Sequence, residues 1–366
     1  MNKVLCDYDN LYYIGGIVRD KLLGIRSFDV DITYAGNAVE FCKNLSRKGI
    51  GEIKQINKDF ATVRMVIDGK VIDFASTRDE VYERKGHLPK VFDIGCNLKK
   101  DVLRRDFTIN ALAESVKTGE IIDYIGGISD LNSKKLRVLH DNSFIDDPTR
   151  IIRGLKFSVR FGFNLDEHTK ELQERYLSNV NYDMSRKRLK KELVETFNLN
   201  SQKAYRMFFE QKMNKLLSEH DMMPLDYDIE SLVNEFPVRN TWLVYLGCCE
   251  LDGIPLNKEE QRIIDDFKML NSLKIANDEF SIYKAFENKM MESVLLYTAA
   301  TKSDKGLRYF KIKDVKPLIN GDDLIKLGIK PSARFKECFD YILQKKLSYP
   351  EMSYNDELES AKNFFK

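Results

Sequence analysis

The chain has 366 residues, 32% of them charged, with a net charge of only +2. That length exceeds one ordinary core and predicts two or more domains, and any nucleic-acid surface must come from local clusters rather than bulk basicity. Mean hydropathy is −0.40, and no apolar run nears the ~18 residues of a membrane span.

The first residues carry Asp7 and Asp9 and do not read as a secretory signal. Residues 11–14 read as a strand, followed by Gly15-Gly16 and a helix. Residues 28–33, 61–67 and 70–75 read as further strands, with Asp68-Gly69 as a hairpin turn between the last two, and 38–48 has helical spacing. From about Asp146 the pattern turns almost wholly helical, with apolar-periodic stretches at 150–161 and 188–197. No Ser/Gly linker, internal repeat or low-complexity tract divides the halves. Six scattered cysteines without a C-x-x-C pair, beside four histidines, disfavour zinc and suit a reducing, cytoplasmic setting.

Asp29 and Asp31 stand at i and i+2 on an extended segment, so their carboxylates share a face and repel unless a cation lies between them. Hard oxygen ligands of this kind suit Mg²⁺, which completes its shell with water and phosphate. Upstream, Gly15-Gly16 and Arg19 offer backbone N–H groups and a cation to a polyphosphate. Neither G-x-G-x-x-G nor G-K-[ST] is complete, which excludes Rossmann and P-loop readings. Asp73, on a second apolar strand, either completes the metal site or pairs with an arginine. Together these residues point to metal-dependent phosphoryl transfer on a nucleotide.

In Arg104-Arg105-Asp106-Phe107-Thr108-Ile109-Asn110, Asp106 reads either as a helix N-cap with the arginines outside, or as half of a ribose-binding pair with Asn110, Arg105 then contacting phosphate. Pro148 fixes the start of the next helix, with Asp147 near its cap. Arg150, Arg153, Lys156 or Phe157, and Arg160 form one stripe along it. A carboxylate accepts from an exocyclic amine while a guanidinium donates to a ring nitrogen or carbonyl. An Asp147/Arg150 pair therefore suits cytosine and adenine, whereas guanine and uracil leave buried groups unpaired at ~1–3 kcal/mol each.

These motifs, in this order over roughly residues 10–200, resemble those of class II tRNA nucleotidyltransferases and bacterial poly(A) polymerases. The quoted segments are Gly15-Gly16-x-Val18-Arg19-Asp20, Asp29-x-Asp31, Arg104-Arg105-Asp106-Phe107-Thr108-x-Asn110 and Asp147-x-x-Arg150-x-x-Arg153. Ser185-Arg186-Lys187-Arg188-Leu189-Lys190-Lys191-Glu192-Leu193 is similar to a signature that braces the base-reading helix, with Lys187 where Glu is common. Gly321-Asp322-Asp323-Leu324 with Gly328 and Pro331 resembles a C-terminal tail element. Lys156 replaces a frequent Arg, keeping charge but losing the planar fork.

The resemblance implies an α+β fold: a polymerase-β-like nucleotidyltransferase head of mixed sheet and helices, then an elongated all-α neck, body and tail. The implied boundaries are 1–140, 141–200, 201–270 and 271–366. It implies two Mg²⁺ ions on Asp29 and Asp31, with Asp73 as a further candidate ligand. Nucleotide binding falls to Gly15, Gly16, Arg19, Arg105, Asp106, Asn110, Asp147, Arg150, Arg153 and Lys156. Residues 78–100, with Gly86, Pro89 and Gly95, match a flexible loop. The implied activity is addition of CCA to tRNA 3′ ends from CTP and ATP, with the acceptor arm gripped through Arg186, Lys187, Lys190 and Lys191, no membrane contact and no evident protein partner. Rivals are an A-adding or CC-adding partial enzyme, a poly(A) polymerase, a phosphohydrolase suggested by His220-Asp221, and a non-catalytic RNA-binding protein.

Overall fold

The computed structural model describes residues 3–27 and 30–366, so Phe28 and the predicted ligand Asp29 lie outside the described residues. Contacts divide the chain into two units, Met1–Met222 with Asp252–Pro255, and Met223–Leu251 with Leu256–Lys366.

The first unit opens with β1 (Leu11–Ile14), α1 (Gly16–Leu22), β2 (Asp31–Tyr34), α2 (Ala38–Arg47), β3 (Glu52–Asn57), β4 (Thr62–Ile67) and β5 (Lys70–Ser76). The hairpin β6 (Arg78–Val81) and β7 (Lys90–Ile94), α3 (Leu98–Leu103), β8 (Ala113–Ser115), β9 (Ile121–Ile122) and α4 (Gly127–Asn132) follow. Seven strands form one mixed sheet in the order β3-β4-β5-β2-β1-β8-β9, in which only β2 and β5 run parallel. Strand periodicity sorts its two faces. Ile32, Val63, Met65, Ile67, Ile72 and Phe74 turn to one side and bury against Phe41, Cys42 and Leu45 of α2. At ~1.5–3 kcal/mol for each large side chain removed from water, this layer anchors the sheet. Their neighbours Asp31, Arg64 and Asp73 are left on the other side.

The predicted strands at 11–14, 61–67 and 70–75 match β1, β4 and β5 to within a residue. β4 starts at Thr62 because Ala61 has φ of 48°. Asp68 (φ 50°) and Gly69 (φ 72°) both take the positive φ that a two-residue hairpin turn requires. β3 escaped prediction because, at the sheet edge, it is almost entirely exposed and carries no apolar alternation. The segment expected to be a flexible loop is the β6–β7 hairpin. Its tip is fastened by Gly86 N–H to Asp146 O (2.9 Å), Ser185 N–H to Gly86 O (2.9 Å) and the Arg84–Asp183 ion pair. Gly86 has φ of 76°, and a Cβ there would meet Met184 Cβ at 2.9 Å and Asp183 O at 3.0 Å, so only glycine fits this approach.

Helices α5 (Ser143–Asp146), α6 (Thr149–Phe161), α7 (Glu167–Leu177), α8 (Arg186–Phe197) and α9 (Gln202–Glu210) complete the first unit. Ile151, Ile152 and Leu155 of α6 and Leu189, Leu193 and Phe197 of α8 are buried.

The second unit is helical: α10 (Ile229–Glu235), α11 (Thr241–Leu246), α12 (Lys258–Ser272), α13 (Glu279–Phe286), α14 (Met291–Thr301), α15 (Lys305–Ile312), α16 (Gly321–Lys326), α17 (Arg334–Ser348) and α18 (Tyr354–Phe365). The Gly321-Asp322-Asp323-Leu324 segment is the first turn of α16, closed by a capping box between Asn320 and Asp323. Glu357 of α18 is fully buried and accepts hydrogen bonds from Leu318 N–H (2.6 Å), Ile319 N–H (3.0 Å) and Lys346 Nζ (2.6 Å). Glu357→Ala strands all three donors and is expected to cost about 3 kcal/mol, read as a lowered unfolding midpoint of the C-terminal helices by calorimetry.

Candidate functional site

Between β1 and α1 the chain turns at Gly15, whose φ is 72°. A Cβ there would lie 3.2 Å from Arg105 Nη1, so the glycine lets that guanidinium reach the turn. Arg105 donates through Nη2 to Asp101 (3.1 Å), and its buried Nε has no hydrogen-bond partner among the described residues. Arg19, one turn into α1, is 4% exposed. It donates to Asn110 Oδ1 (2.6 Å) and Asp20 Oδ1 (2.6 and 2.9 Å) and stacks over the rings of Phe161 (4.6 Å) and Phe157 (5.3 Å). Burial pulls its pKa below the ordinary arginine value, with Asp20 working against the drop.

Asp106 is a hub rather than an N-cap. Its Oδ1 accepts from Phe107 N–H (2.8 Å) and Asn110 Nδ2 (3.0 Å), while Oδ2 receives Arg153 Nε (2.8 Å) and Nη2 (2.6 Å). Burial opposes the charged carboxylate, yet Arg153 and the Asn110 hydrogen bond outweigh it and hold the Asp106 carboxyl below its usual range. Arg153, raised in turn chiefly by Asp106, also reaches Glu192 of α8 at 3.3 Å. Lys156 binds Glu192 (2.7 Å) and Glu195 (2.6 Å). Much of the basic stripe on α6 is therefore spent on internal carboxylates.

Asp147 and Arg150 are 4% and 3% exposed and are held by different partners. Asp147 Oδ1 accepts from Thr149 Oγ1 (2.6 Å) and Thr149 N–H (3.2 Å), and its Oδ2 is paired with Arg188 of α8. Arg150 donates to Ser143 Oγ (2.6 Å) and Arg104 O (3.0 Å), with Tyr82 OH at 3.4 Å. One cleft of about 470 Å³ is lined by Gly15, Gly16, Arg19, Asp31, Arg105, Asp106, Asn110, Asp147, Arg150 and Arg153 together with Tyr82, Phe157 and Arg188. It gathers every described nucleotide-binding candidate except Lys156, which faces α8.

Asp31 opens β2 at the mouth of this cleft and is exposed. Asp73 lies beside it in register on β5 and forms a two-pronged ion pair with Arg64 (2.8 and 2.7 Å). Of its two predicted roles, the arginine pair is the one formed by described side chains.

Of the predicted RNA contacts, Arg186 caps Leu216 O (2.8 Å) and Lys190 caps Pro255 O (2.7 Å), whereas Lys187 and Lys191 are exposed. Arg188 lines the cleft without being among the sequence-predicted site residues, although the Ser-x-x-Arg spacing marks it. Tyr82 carried no sequence signal, because only the folded hairpin brings it to Arg150. The histidines are dispersed: His87 on Asp183, His140 near Asp146, His168 on Asp141 and His220 beside Ser218.

Because the folded pKa of Asp106 is depressed, its contribution is present above the unfolded carboxylate value of ~4 and is lost as pH falls through the folded value. Asp106→Asn is expected to cost about 2 kcal/mol near neutrality, discounted for the partial exposure of Arg153. Thermal midpoints of wild type and variant should converge as the buffer is taken below about pH 4; a gap independent of pH would contradict the ion-pair assignment.

Residues 11–137 match the Poly A polymerase head domain. The A-adding tRNA nucleotidyltransferase of Geobacter sulfurreducens is 30% identical, over 96% of this chain but only 44% of its own length. That of Halalkalibacterium halodurans is 28% identical over 97% of this chain and 89% of its own. A solved CCA-adding enzyme in an apo form superposes with a TM-score of 0.80 and 29% identity, covering 96% of this chain and 91% of that one. Similar structures include CCA-adding enzyme complexes with CTP and with ATP, and the Thermotoga maritima enzyme complexed with tRNA. The chain thus spans less than half the length of the first of these relatives and most of the second. Motif order, sheet topology and these likenesses agree: residues 11–137 match the Poly A polymerase head domain, and the chain as a whole is similar in sequence and fold to tRNA nucleotidyltransferases.

Proposed function

We propose that this protein extends the 3′ end of tRNA without a nucleic-acid template, adding CMP, CMP and AMP from CTP and ATP and releasing pyrophosphate. The observation that carries this reading is the single cleft in which arginines around a glycine turn face the Asp147/Arg150 pair, with Asp31 at its mouth. In that arrangement the triphosphate lies against Gly15, Gly16, Arg19 and Arg105, and the base meets the Asp147 carboxylate and the Arg150 guanidinium. Arg188 and Thr149 fix the Asp147 oxygens, so the donor and acceptor pattern is set before a base arrives. Asp106 and Asn110 lie where a ribose would sit.

The tRNA 3′-hydroxyl attacks the α-phosphorus: the new O–P bond forms as the bond to the pyrophosphate oxygen breaks, and the hydroxyl proton leaves to solvent. The donor set suits Mg²⁺, since Asp31 is a hard oxygen donor at the reacting end and Asp29 adds a second from the sequence. Two Mg²⁺ held chiefly by Asp29 and Asp31 would activate the hydroxyl and neutralise phosphate charge. In the same reading, residues 1–140 are the head, 141–200 a neck bearing the base-reading helix, and 201–270 and 271–366 a body and tail that hold the acceptor arm by phosphate contacts, work belonging to the cytoplasm. Lys187 and Lys191, exposed on α8, are suited to such contacts.

A second reading, addition of the terminal A alone, is favoured by one observation: two relatives aligned along nearly the whole chain, those of Geobacter sulfurreducens and Halalkalibacterium halodurans, are A-adding enzymes. Three tRNA transcripts ending at the discriminator base, at C and at CC, each offered CTP, ATP or both, separate the two. Completion of all three to CCA is expected. Extension of only the CC-ended tRNA, and only by A, selects the second reading, and no extension by wild type where Asp31→Ala is the matched control rejects both.

Asp147→Ala is expected to reduce discrimination of ATP and CTP against GTP and UTP by about 10–100-fold while triphosphate affinity changes little. Misincorporation assays check this, and a variant that still refuses G and U overturns the role given to Asp147.

A further inference from the structure

Asp31 lines two adjoining clefts, and the nucleotide site proposed above uses only one of them. The second, about 520 Å³, spreads over the open face of the sheet and shares Asp31, Arg78, Arg104 and Arg105 with the first. Strand register arranges its floor in two rows. Asp31 lies opposite Asp73, Asp73 opposite Arg64, and Arg64 opposite Gln55. The parallel row runs Thr33, Ala75, Thr62 and Asn57 across the same four strands. Alternate residues turn inward to the core beneath α2, so both rows face the cleft.

Taking Asp31 as the point of transfer, as proposed above, we infer that this second cleft seats the 3′-terminal nucleotide of the acceptor RNA, and that Arg64 binds the phosphate linking it to the nucleotide before. Arg64 lies two strands from Asp31, about 10 Å at the ordinary inter-strand spacing, a span that suits one nucleotide laid across the sheet. The Arg64–Asp73 pair is 53% and 41% exposed at its side chains, and so contributes little to stability. What the pair does accomplish is to hold the Arg64 guanidinium by its Nε and Nη2 edge on the open face of the sheet, so that the cation stands ready for a phosphate. The second row is small or amide-bearing. Ala75 and the two threonines leave room for a sugar and base, and the Gln55 amide can both donate and accept, which tolerates different terminal bases, while the Asn57 oxygen is held by Asp59 and Phe60 N–H (3.1 and 3.3 Å).

The test uses the whole chain and the variants Arg64→Ala and Arg64→Lys. AMP addition to CC-ended tRNA is measured with acceptor and ATP varied in turn, ATP binding by equilibrium dialysis, and binding of a short single-stranded RNA ending in CC by fluorescence anisotropy. Arg64→Ala is expected to raise the acceptor KM and the short-RNA Kd about tenfold, to leave ATP affinity and the unfolding midpoint unchanged, and to be partly rescued by lysine. An unchanged acceptor KM, or ATP affinity falling in parallel, overturns the assignment. If wild type extends no tRNA, the functional proposal fails by itself. The short-RNA titration then still decides the cleft: weaker binding by Arg64→Ala sustains it and equal binding removes it.

Discussion

The Asp106–Arg153 ion pair joins the loop after α3 to α6, and the geometry of the cleft between the Gly15 turn and α6 depends on that junction. Through its other oxygen Asp106 holds Asn110, Asn110 receives Arg19, and Arg19 lies over Phe157 and Phe161 of the same helix α6. The circuit closes on itself. Arg153 and Lys156 carry it onward to Glu192 of α8, and that helix returns Arg188 to Asp147. Buried ion pairs add little net stability compared with apolar packing, but removing one member leaves the other uncompensated. Such a chain therefore fixes position more than it adds stability.

That rigidity bears on how an anionic substrate is met. Guanidiniums free to rotate would have to be ordered as any anionic ligand bound, whereas Arg19, Arg150 and Arg188 are each held by a carboxylate, hydroxyl or carbonyl beforehand. The cation–π contacts of Arg19 and the glycine turn beside Arg105 serve the same end, letting positive charge approach the cleft where ordinary side chains would stand in the way. On the open face of the sheet the Arg64–Asp73 pair repeats the device in a more exposed setting.

Much of this was legible in residue patterns. Alternation revealed β4 and β5, the Asp68-Gly69 pair their turn, and Pro148 the start of α6. The cleft-lining motifs were visible because each is short and local: a glycine turn, an aspartate on a strand, an Arg-Arg-Asp run, an Asp and Arg one turn apart. Features made by distant segments were not. Lys156 has the spacing of a third basic member of a nucleotide-facing stripe, but Glu192 and Glu195, 36 and 39 residues away, draw it to α8. The β6–β7 hairpin looked like a loop because its fastenings lie on α5 and just before α8 rather than in its own composition.

Sequence by itself determined the local chemistry: an aspartate opening a strand, glycines where the backbone needs positive φ, and an apolar period that separates a mixed sheet from the helices after it. These follow from bonded geometry over a few residues, which a linear pattern records. Tertiary structure alone decided the partners. It set Arg188 on Asp147, gave Arg153 to Asp106, brought Tyr82 to Arg150, and aligned Asp31, Asp73, Arg64 and Gln55 in one row across four strands. Which guanidinium meets which carboxylate depends on strand register and helix packing, and both are set by burial of side chains far apart in the chain.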